Sequence, residues 1–218
     1  VTYTTNEGES TTLSIDVVAV ADTPIFTGSG EEGLILTTWV SVKPTVDNSG
    51  YGLSPAQLSF LVNTYDVSLA ESSVVVQSVP KVSGVPVDTL TTITGYIYLE
   101  AGSTYTFSGD VDDSLYVKIS DGLVADGQWN GSESNNAVDG SYTALVTGYY
   151  AIEIAHHNED GPGYYDVYMA VDGGDALQIN STNFDVYPSA EAVLAADFDA
   201  TFPGGVSTDS PLNAGNEG

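Results

Sequence analysis

The stretch Gly95-Tyr-Ile-Tyr-Leu-Glu-Ala-Gly-Ser-Thr-Tyr-Thr-Phe-Ser-Gly-Asp-Val-Asp-Asp-Ser-Leu-Tyr-Val117 decides the fold of this chain. Residues of high β propensity fill three parts of it, and turns containing glycine or serine separate these parts. The stretch therefore predicts three consecutive β-strands, at Thr91–Leu99, Ser103–Ser108 and Ser114–Ile119. The turn before the third strand holds two adjacent aspartates.

These aspartates, Asp112 and Asp113, need a physical reason to stay together in a turn. Their carboxylates repel each other, and the commonest reason for holding two carboxylates together is a hard cation such as Ca²⁺. The alternative is a solvated loop end, because charged residues are the default in exposed loops. The pair alone favours the solvated loop, and the rest of the sequence shifts the balance toward the cation.

Short β-rich runs also occupy most of the remaining chain. Clusters of Gly, Asn, Asp, Ser and Pro separate the runs, and helical periodicity is nearly absent. The further runs are Thr11–Ala21, Leu34–Val42, Ser73–Val79, Tyr142–Val146, Tyr149–Ala155, Tyr164–Val171 and Ala176–Ile179. Many short strands with frequent turns predict an all-β fold, an antiparallel β-sandwich.

Two short helices are predicted beside the strands. Ser54 followed by Pro55 has the pattern of an N-cap with proline in the first helical position. A second helix is predicted to start near Ser189 and to run through residues 190–196.

The charge of the chain is extreme and excludes several partners. Its 218 residues include 30 acidic side chains against three lysines and no arginine, so the formal net charge is −27. Nucleic acids and anionic membrane surfaces are therefore excluded as partners, because their phosphates are bound through Lys and Arg. The absence of cysteine also excludes thiol catalysis and zinc–thiolate sites.

The acidity also bears on where the protein works. A hydrophobic content of 42% with 14 tyrosines is typical of a folded chain rather than a disordered one. Carboxylates at this density repel one another unless cations or salt screen them. We interpret the composition as that of a secreted or cell-surface protein in a calcium-rich medium, and the alternative is the solvated surface of a halophile's protein.

The sequence suggests a central domain with two flanks. Residues 1–24 are predicted to be flanking strands that end an extender repeat or an interrupted domain, and residues 25–187 are predicted to form the sandwich. Residues 188–218 are predicted to be a C-terminal flank or linker. The flanks either pair with each other or lie against the sandwich, and we favour the second arrangement. No leader or membrane-spanning run is present, and Val1 opens directly into a strand pattern, so the chain is expected to be a monomeric module of something longer.

The quoted stretch resembles the centre of the protective-antigen-type lectin domain, the PA-fourteen (PA14) superfamily. That superfamily includes yeast flocculins, epithelial adhesins and the sugar-binding modules of large RTX adhesins. The matching parts are Gly95, residues 99–102, Tyr105-Thr-Phe107, Asp112-Asp113 and Leu115-Tyr-Val117. Downstream, residues 148–158 (Gly-Tyr-Tyr-Ala-Ile-Glu-Ile-Ala-His-His-Asn) resemble the family strand that leads into a second calcium loop, and residues 33–39 resemble its first strand more weakly. The resemblance covers roughly residues 30–187, and the lack of arginine and cysteine favours the RTX adhesin branch.

The resemblance implies a Ca²⁺ site on named residues. In lectin members a cis peptide joins the two aspartates, and an asparagine and two backbone carbonyls complete the protein ligands. Carried over, the side-chain ligands are Asp112, Asp113 and Asn158. The carbonyls are those of Asp160 and Pro162, with Gly161 as the alternative. Ca²⁺ takes about 6–8 oxygens, so one or two positions stay open for vicinal hydroxyls of a sugar.

Two further side chains are predicted to contact that sugar. His157 falls beside the expected loop, on the face opposite the neighbouring His156, which we expect to be buried and hydrogen-bonded. Trp129 is the best aromatic for stacking on a sugar ring, and the alternative is that it anchors its own loop.

The sequence carries no enzyme signature. Glycosidases place two carboxyl groups about 5–9 Å apart on different segments, whereas adjacent aspartates suit chelation better. Neither histidine lies in a His-Glu-x-x-His arrangement, and no nucleophile elbow or phosphate loop is present. The chain is therefore predicted not to be an enzyme.

These observations predict a calcium-dependent carbohydrate-binding domain of a large secreted bacterial adhesin, which attaches cells to glycans on another surface. Two alternatives stay open. One is a structural adhesin spacer that calcium rigidifies and that binds no sugar. The other is a carbohydrate module attached to a hydrolase.

Overall fold

The structure, a computed structural model, describes residues 2–4, 10–12, 30–45, 52–131 and 136–205. Fifteen strands and two α-helices lie in these ranges. The strands are β1 Thr2–Thr4, β2 Ser10–Thr12, β3 Leu34–Trp39, β4 Ser72–Val76, β5 Val82–Val85, β6 Thr89–Leu99, β7 Thr104–Asp112, β8 Ser114–Ile119, β9 Gly122–Gln128, β10 Ala137–Thr143, β11 Gly148–Asn158, β12 Gly163–Tyr165, β13 Tyr168–Val171, β14 Leu177–Gln178 and β15 Val186–Tyr187. The helices are α1 Pro55–Val62 and α2 Ala190–Ala196, and a short 3-10 helix spans Val67–Leu69.

One long antiparallel sheet forms the body of the molecule. Its main path runs β14-β13-β7-β10-β9-β8-β11-β6-β3-β4, with β12, β5 and β15 attached at its sides. The sheet curls so that its inner face closes on itself, which confirms the predicted all-β antiparallel fold. The two layers expected of a sandwich are therefore parts of one continuous sheet.

The main core lies inside the curl. Alternate residues of the central strands point into it and are almost fully buried. They include Ile93 and Ile97 of β6, Phe107 and Val111 of β7, Leu115 and Val117 of β8, and Ile152 and Ile154 of β11. This alternation is the same pattern that predicted the strands.

Two smaller clusters attach the helices to the outer face of the sheet. Leu58 and Leu61 of α1 pack with Trp39, Leu90 and Tyr116. The predicted N-cap is confirmed, since the Ser54 hydroxyl accepts the N–H of Gln57 and Pro55 opens the helix. Neither described helix is long and apolar enough to cross a membrane.

Helix α2 and the chain beyond it also lie on the sheet. Ala190 and Val193 pack among Tyr96, Tyr149 and Tyr187, and Phe202 meets the Tyr96 ring edge-to-face with centroids 5.5 Å apart. The described part of this flank, up to residue 205, therefore packs against the sheet. The predicted domain boundaries near residues 24 and 188 stay predictions, and most of the predicted strand Thr11–Ala21 lies outside the described residues.

Substitutions at Phe107 and Phe60 test this placement of the core. Phe107 is fully buried in the curl, whereas Phe60 on α1 is 67% exposed. Phe107→Ala is expected to lower the free energy of unfolding by about 3–5 kcal/mol because it leaves a cavity. Phe60→Ala, the matched control, is expected to change it by less than about 0.5 kcal/mol. Urea denaturation measures both, and equal losses would contradict the core described here.

Candidate functional site

The adjacent aspartates lie where β7 ends and β8 begins. Asp112 is the last residue of β7, Asp113 forms the turn, and Ser114 opens β8. The peptide that joins Asp112 to Asp113 is cis, as the resemblance implies. Asp113 is 6% exposed although it carries a carboxylate, so its side chain depends on partners within the protein.

The loop after β11 supplies partners for the Asp113 carboxylate. Its Oδ2 accepts the backbone N–H of Glu159 at 2.6 Å and that of Asp160 at 3.1 Å. Strand β11 ends at Asn158, immediately before this loop. The structure therefore brings together the two segments, 112–113 and 158–160, that the sequence predicts to share one site.

Asn158 is the most informative side chain of the site. It is fully buried, and its amide nitrogen donates to the carbonyls of Val85 at 2.8 Å and Gly161 at 3.0 Å. Both partners are acceptors, so the nitrogen and oxygen of the amide are assigned without ambiguity. Its Oδ1 is buried and receives no hydrogen bond from any described residue. A buried amide oxygen without a donor costs free energy unless a donor or a cation completes it.

Gly163 shapes the space around that amide. A Cβ at this position would lie 2.5 Å from Asn158 Cγ and 2.8 Å from the Asp112 carbonyl oxygen. Only glycine lets the returning strand β12 pass this close to both groups. The backbone thus packs Asn158 against the aspartate pair.

The two histidines are both buried beneath the site. His156 Nε2 donates to the Asp112 carbonyl at 2.8 Å, and burial lowers the pKa of His156 to about 4, so the ring is neutral. His157 is fully buried and its Nε2 donates to the Val42 carbonyl at 3.0 Å. Burial also lowers the pKa of His157. The expected burial of His156 is confirmed. His157 is buried as well, with its ring against the Val42 carbonyl, and its predicted contact with a sugar stays a prediction.

Trp129 lies next to the aspartates, at the edge of the candidate site, which we call the rim. Its backbone N–H donates to the Asp113 carbonyl at 2.6 Å, and its side chain is partly exposed. The structure thus places this predicted sugar contact beside the predicted chelator. Its role toward a sugar stays a prediction.

The loop carbonyls are less fully defined. Asp160 and Pro162 are both exposed, and the Gly161 carbonyl, the alternative ligand, accepts the Asn158 amide. The assignment to Asp160 and Pro162 therefore stays a prediction. Among the described residues no three His, Cys, Asp or Glu side chains form a group that could hold a metal. A cation here would depend on two carboxylates, one amide oxygen and backbone carbonyls, which is the donor chemistry that Ca²⁺ accepts.

Sequence reasoning missed the residues that support this site from behind. Ser114 and Gly52 lie against the far side of Asp113, and Val85 holds the Asn158 amide. None of them belongs to a motif. Only the position of Ser114 directly after the aspartates marked it in advance.

Comparison with solved structures defines the fold. A PA14 sugar-binding domain from an RTX adhesin is similar over 72% of this chain and 98% of its own, with 17% identity and a TM-score of 0.56. The PA14 domain of the MpAFP antifreeze protein is similar over 72% and 90%, with 20% identity and a TM-score of 0.54. The chain has the PA14 fold.

The same fold extends to a fungal lectin. The A domain of epithelial adhesin 6 from Candida glabrata, solved in complex with Galβ1-3GlcNAc, is similar over 72% of this chain and 88% of its own. Its identity is 14% and its TM-score 0.50. No protein-family model and no curated protein sequence matches the chain. At these sequence identities the structural similarity establishes the PA14 fold alone, and the function has to be argued from the residues of the site.

Substituting Gly163 tests the packing around Asn158. Gly163→Ala is expected to lower the free energy of unfolding by about 1–3 kcal/mol, because the added methyl group overlaps the amide and the Asp112 carbonyl. Gly122→Ala is the control, since its nearest contact is 3.3 Å away. Urea denaturation compares the two, and an equally stable Gly163→Ala variant would contradict the close approach.

Proposed function

We propose that this chain is a calcium-dependent carbohydrate-binding domain of a cell-surface adhesin. One observation carries the proposal: the buried Oδ1 of Asn158 has no described donor and lies beside the turn of two aspartates in a PA14 fold. Because this oxygen receives no hydrogen bond from a described residue, its lone pairs are available to coordinate a metal ion. The oxygens of Asp112, Asp113 and Asn158 fit a hard cation.

The proposed ligand set leaves room for a sugar. The two carboxylates, the Asn158 amide oxygen and the carbonyls of Asp160 and Pro162 supply about five of the 6–8 oxygens that Ca²⁺ takes. When bound, the ion supplies one or two open positions for vicinal hydroxyls. The protein's own task is to hold these oxygens together and to present Trp129 at the rim.

The placement of the lysines supports a cation at this site. The chain has three lysines and no arginine. Each lysine forms an ion pair with another acid, Lys43 with Asp88, Lys81 with Asp166 and Lys118 with Glu153. Basic side chains are therefore committed elsewhere, and a bound divalent ion is the natural source of positive charge for two adjacent carboxylates.

The location of the site supports a role in adhesion. Gly30 lies against Ala196, and the N–H of Tyr149, next to Gly148 at the start of β11, donates to the Thr201 carbonyl. Asn158 lies at the other end of that strand, about 33 Å away at the usual rise per residue. The site thus lies at the opposite end of β11 from the Tyr149–Thr201 contact, beside the exposed residues 160–162, where a glycan on another surface can reach it.

The chemistry predicts weak, tolerant binding. A shallow site that coordinates one or two hydroxyls binds single monosaccharides weakly, and useful adhesion then needs several copies. Many monosaccharides carry vicinal hydroxyls, so we expect several of them to bind. The PA14 domain from the RTX adhesin is a sugar-binding domain, and the A domain of epithelial adhesin 6 was solved with a disaccharide, which supports binding over catalysis.

The first test is calcium binding. Isothermal titration of the chelator-treated protein with CaCl₂ is expected to show a site that Asp113→Asn and Asn158→Ala each weaken at least about 100-fold, because the first variant removes a negative charge from the site and the second removes a ligand oxygen. Asp139→Asn is the control, since Asp139 is an exposed residue of β10. Unchanged calcium affinity in both site variants would contradict the proposed ligand set.

The second test is glycan binding with and without calcium. A panel of immobilised mannose, galactose, glucose and fucose is expected to retain the protein in calcium and to release it in EGTA. Trp129→Ala is expected to weaken retention about 10-fold, because stacking contributes about 1–1.5 kcal/mol, while Trp129→Phe keeps most of it. Calcium binding without retention on any sugar would favour the structural spacer instead.

A further inference from the structure

The backbone of Trp129 is held from both sides. Its N–H donates to the Asp113 carbonyl at 2.6 Å, and its own carbonyl accepts the N–H of Gly52 at 3.0 Å. The indole ring therefore projects from a fixed main chain, although it follows the end of strand β9.

The segment that holds the Trp129 carbonyl is itself anchored twice. The side-chain amide of Gln128 donates to the Gly52 carbonyl, and the N–H of Leu53 donates to Ser114 Oγ at 2.6 Å. Ser114 is fully buried, so this second bond is shielded from water. Residues 52–53, 113–114 and 128–129 are thereby joined into one unit, which we call the rim clamp.

The rim clamp leaves no space for a side chain at position 52. A Cβ at that position would lie 2.2 Å from the Asp113 carbonyl oxygen and 2.8 Å from Ser114 Oγ. The Asp113 carbonyl thus touches both Gly52 and the Trp129 N–H. Asp113 connects the rim clamp to the opposite loop, because its carboxylate accepts the N–H groups of Glu159 and Asp160.

We propose that Gln128 and Gly52 are positioning residues for the glycan, an inference that rests on the proposed function. The side chain of Gln128 donates to the Gly52 carbonyl and not to a proposed calcium ligand, so we expect it to contribute to glycan affinity, through Trp129, without contributing to calcium affinity. Gly52 touches Asp113 itself, so it contributes to both. A ring held in its bound position loses less conformational freedom when a sugar stacks on it.

The experiment measures three quantities on one set of variants. In a Trp39→Phe background Trp129 is the only tryptophan, so its fluorescence anisotropy reports the mobility of its ring. Titration calorimetry gives calcium affinity, and the sugar of the panel that binds the parent protein best gives glycan affinity. The variants are Gln128→Ala, the isosteric Gln128→Glu, which cannot donate to Gly52, and Gly52→Ala. Gln178→Ala is the matched control, because Gln178 likewise donates to a carbonyl, that of Val79.

The two positions are expected to behave differently. Both Gln128 variants are expected to lower glycan affinity about 3–10-fold, the loss of one net hydrogen bond, with calcium affinity within about twofold of the parent. They are also expected to lower the anisotropy of Trp129. Gly52→Ala is expected to weaken calcium and glycan binding together. Gln178→Ala is expected to change none of the three.

The contrary results are separable from failure of the proposed function. If the parent binds calcium and sugar but both Gln128 variants match Gln178→Ala in glycan affinity, the inference is overturned and the proposed function stands. If the Gln128 variants lose calcium affinity as strongly as glycan affinity, Gln128 acts through the metal site and the inference is again overturned. A parent protein that binds no sugar overturns the proposed function and this inference with it.

Discussion

The hydrogen bonds from Glu159 and Asp160 to one carboxylate oxygen of Asp113 are the contact on which the rest of the site depends. They join the end of β7 to the end of β11, two segments that are 46 or more residues apart in sequence. Because Asp113 is almost fully buried, its charge requires such donors. The pairing of His157 with Ser114 sets the two segments side by side, and this contact fixes the Asp113 carboxylate against the loop that follows Asn158.

The same residue links the proposed metal site to Trp129. The carboxylate of Asp113 faces the loop after β11, and its carbonyl faces Trp129 and Gly52. A single peptide turn thus fixes two surfaces that a bound sugar would touch. A few backbone contacts of Asp113 are therefore enough to order both sides of this shallow site.

Much of the fold could be predicted from the sequence where alternation was strong. Strand β8 was predicted with its observed bounds, the N-cap at Ser54 was correct, and the second helix starts at Ser189 as expected. Strand β9 was missed because Gly122-Leu-Val-Ala-Asp-Gly-Gln128 mixes turn residues with β formers. Strand β10 was predicted too late, at Tyr142–Val146, because Leu145 and Val146 are apolar, yet they lie exposed in the following turn.

The candidate site was predictable only in part. Asp112, Asp113 and Asn158 followed from the family resemblance, and the structure brings them together. The burial of His157 was not foreseen, because strand alternation assigns a face but does not reveal that the Val42 carbonyl meets the ring there. Gln128 and Gly52 act through tertiary contacts between distant segments, for which a single sequence offers no local signal.

The most direct measurement of the central claim is a crystal structure of the protein with CaCl₂ and a bound monosaccharide. The account predicts one ion about 2.3–2.6 Å from oxygens of Asp112, Asp113 and Asn158 Oδ1, with two adjacent sugar hydroxyls completing its shell. An Asn158 Oδ1 that bonds a protein donor instead, or a sugar bound away from the ion, would contradict it.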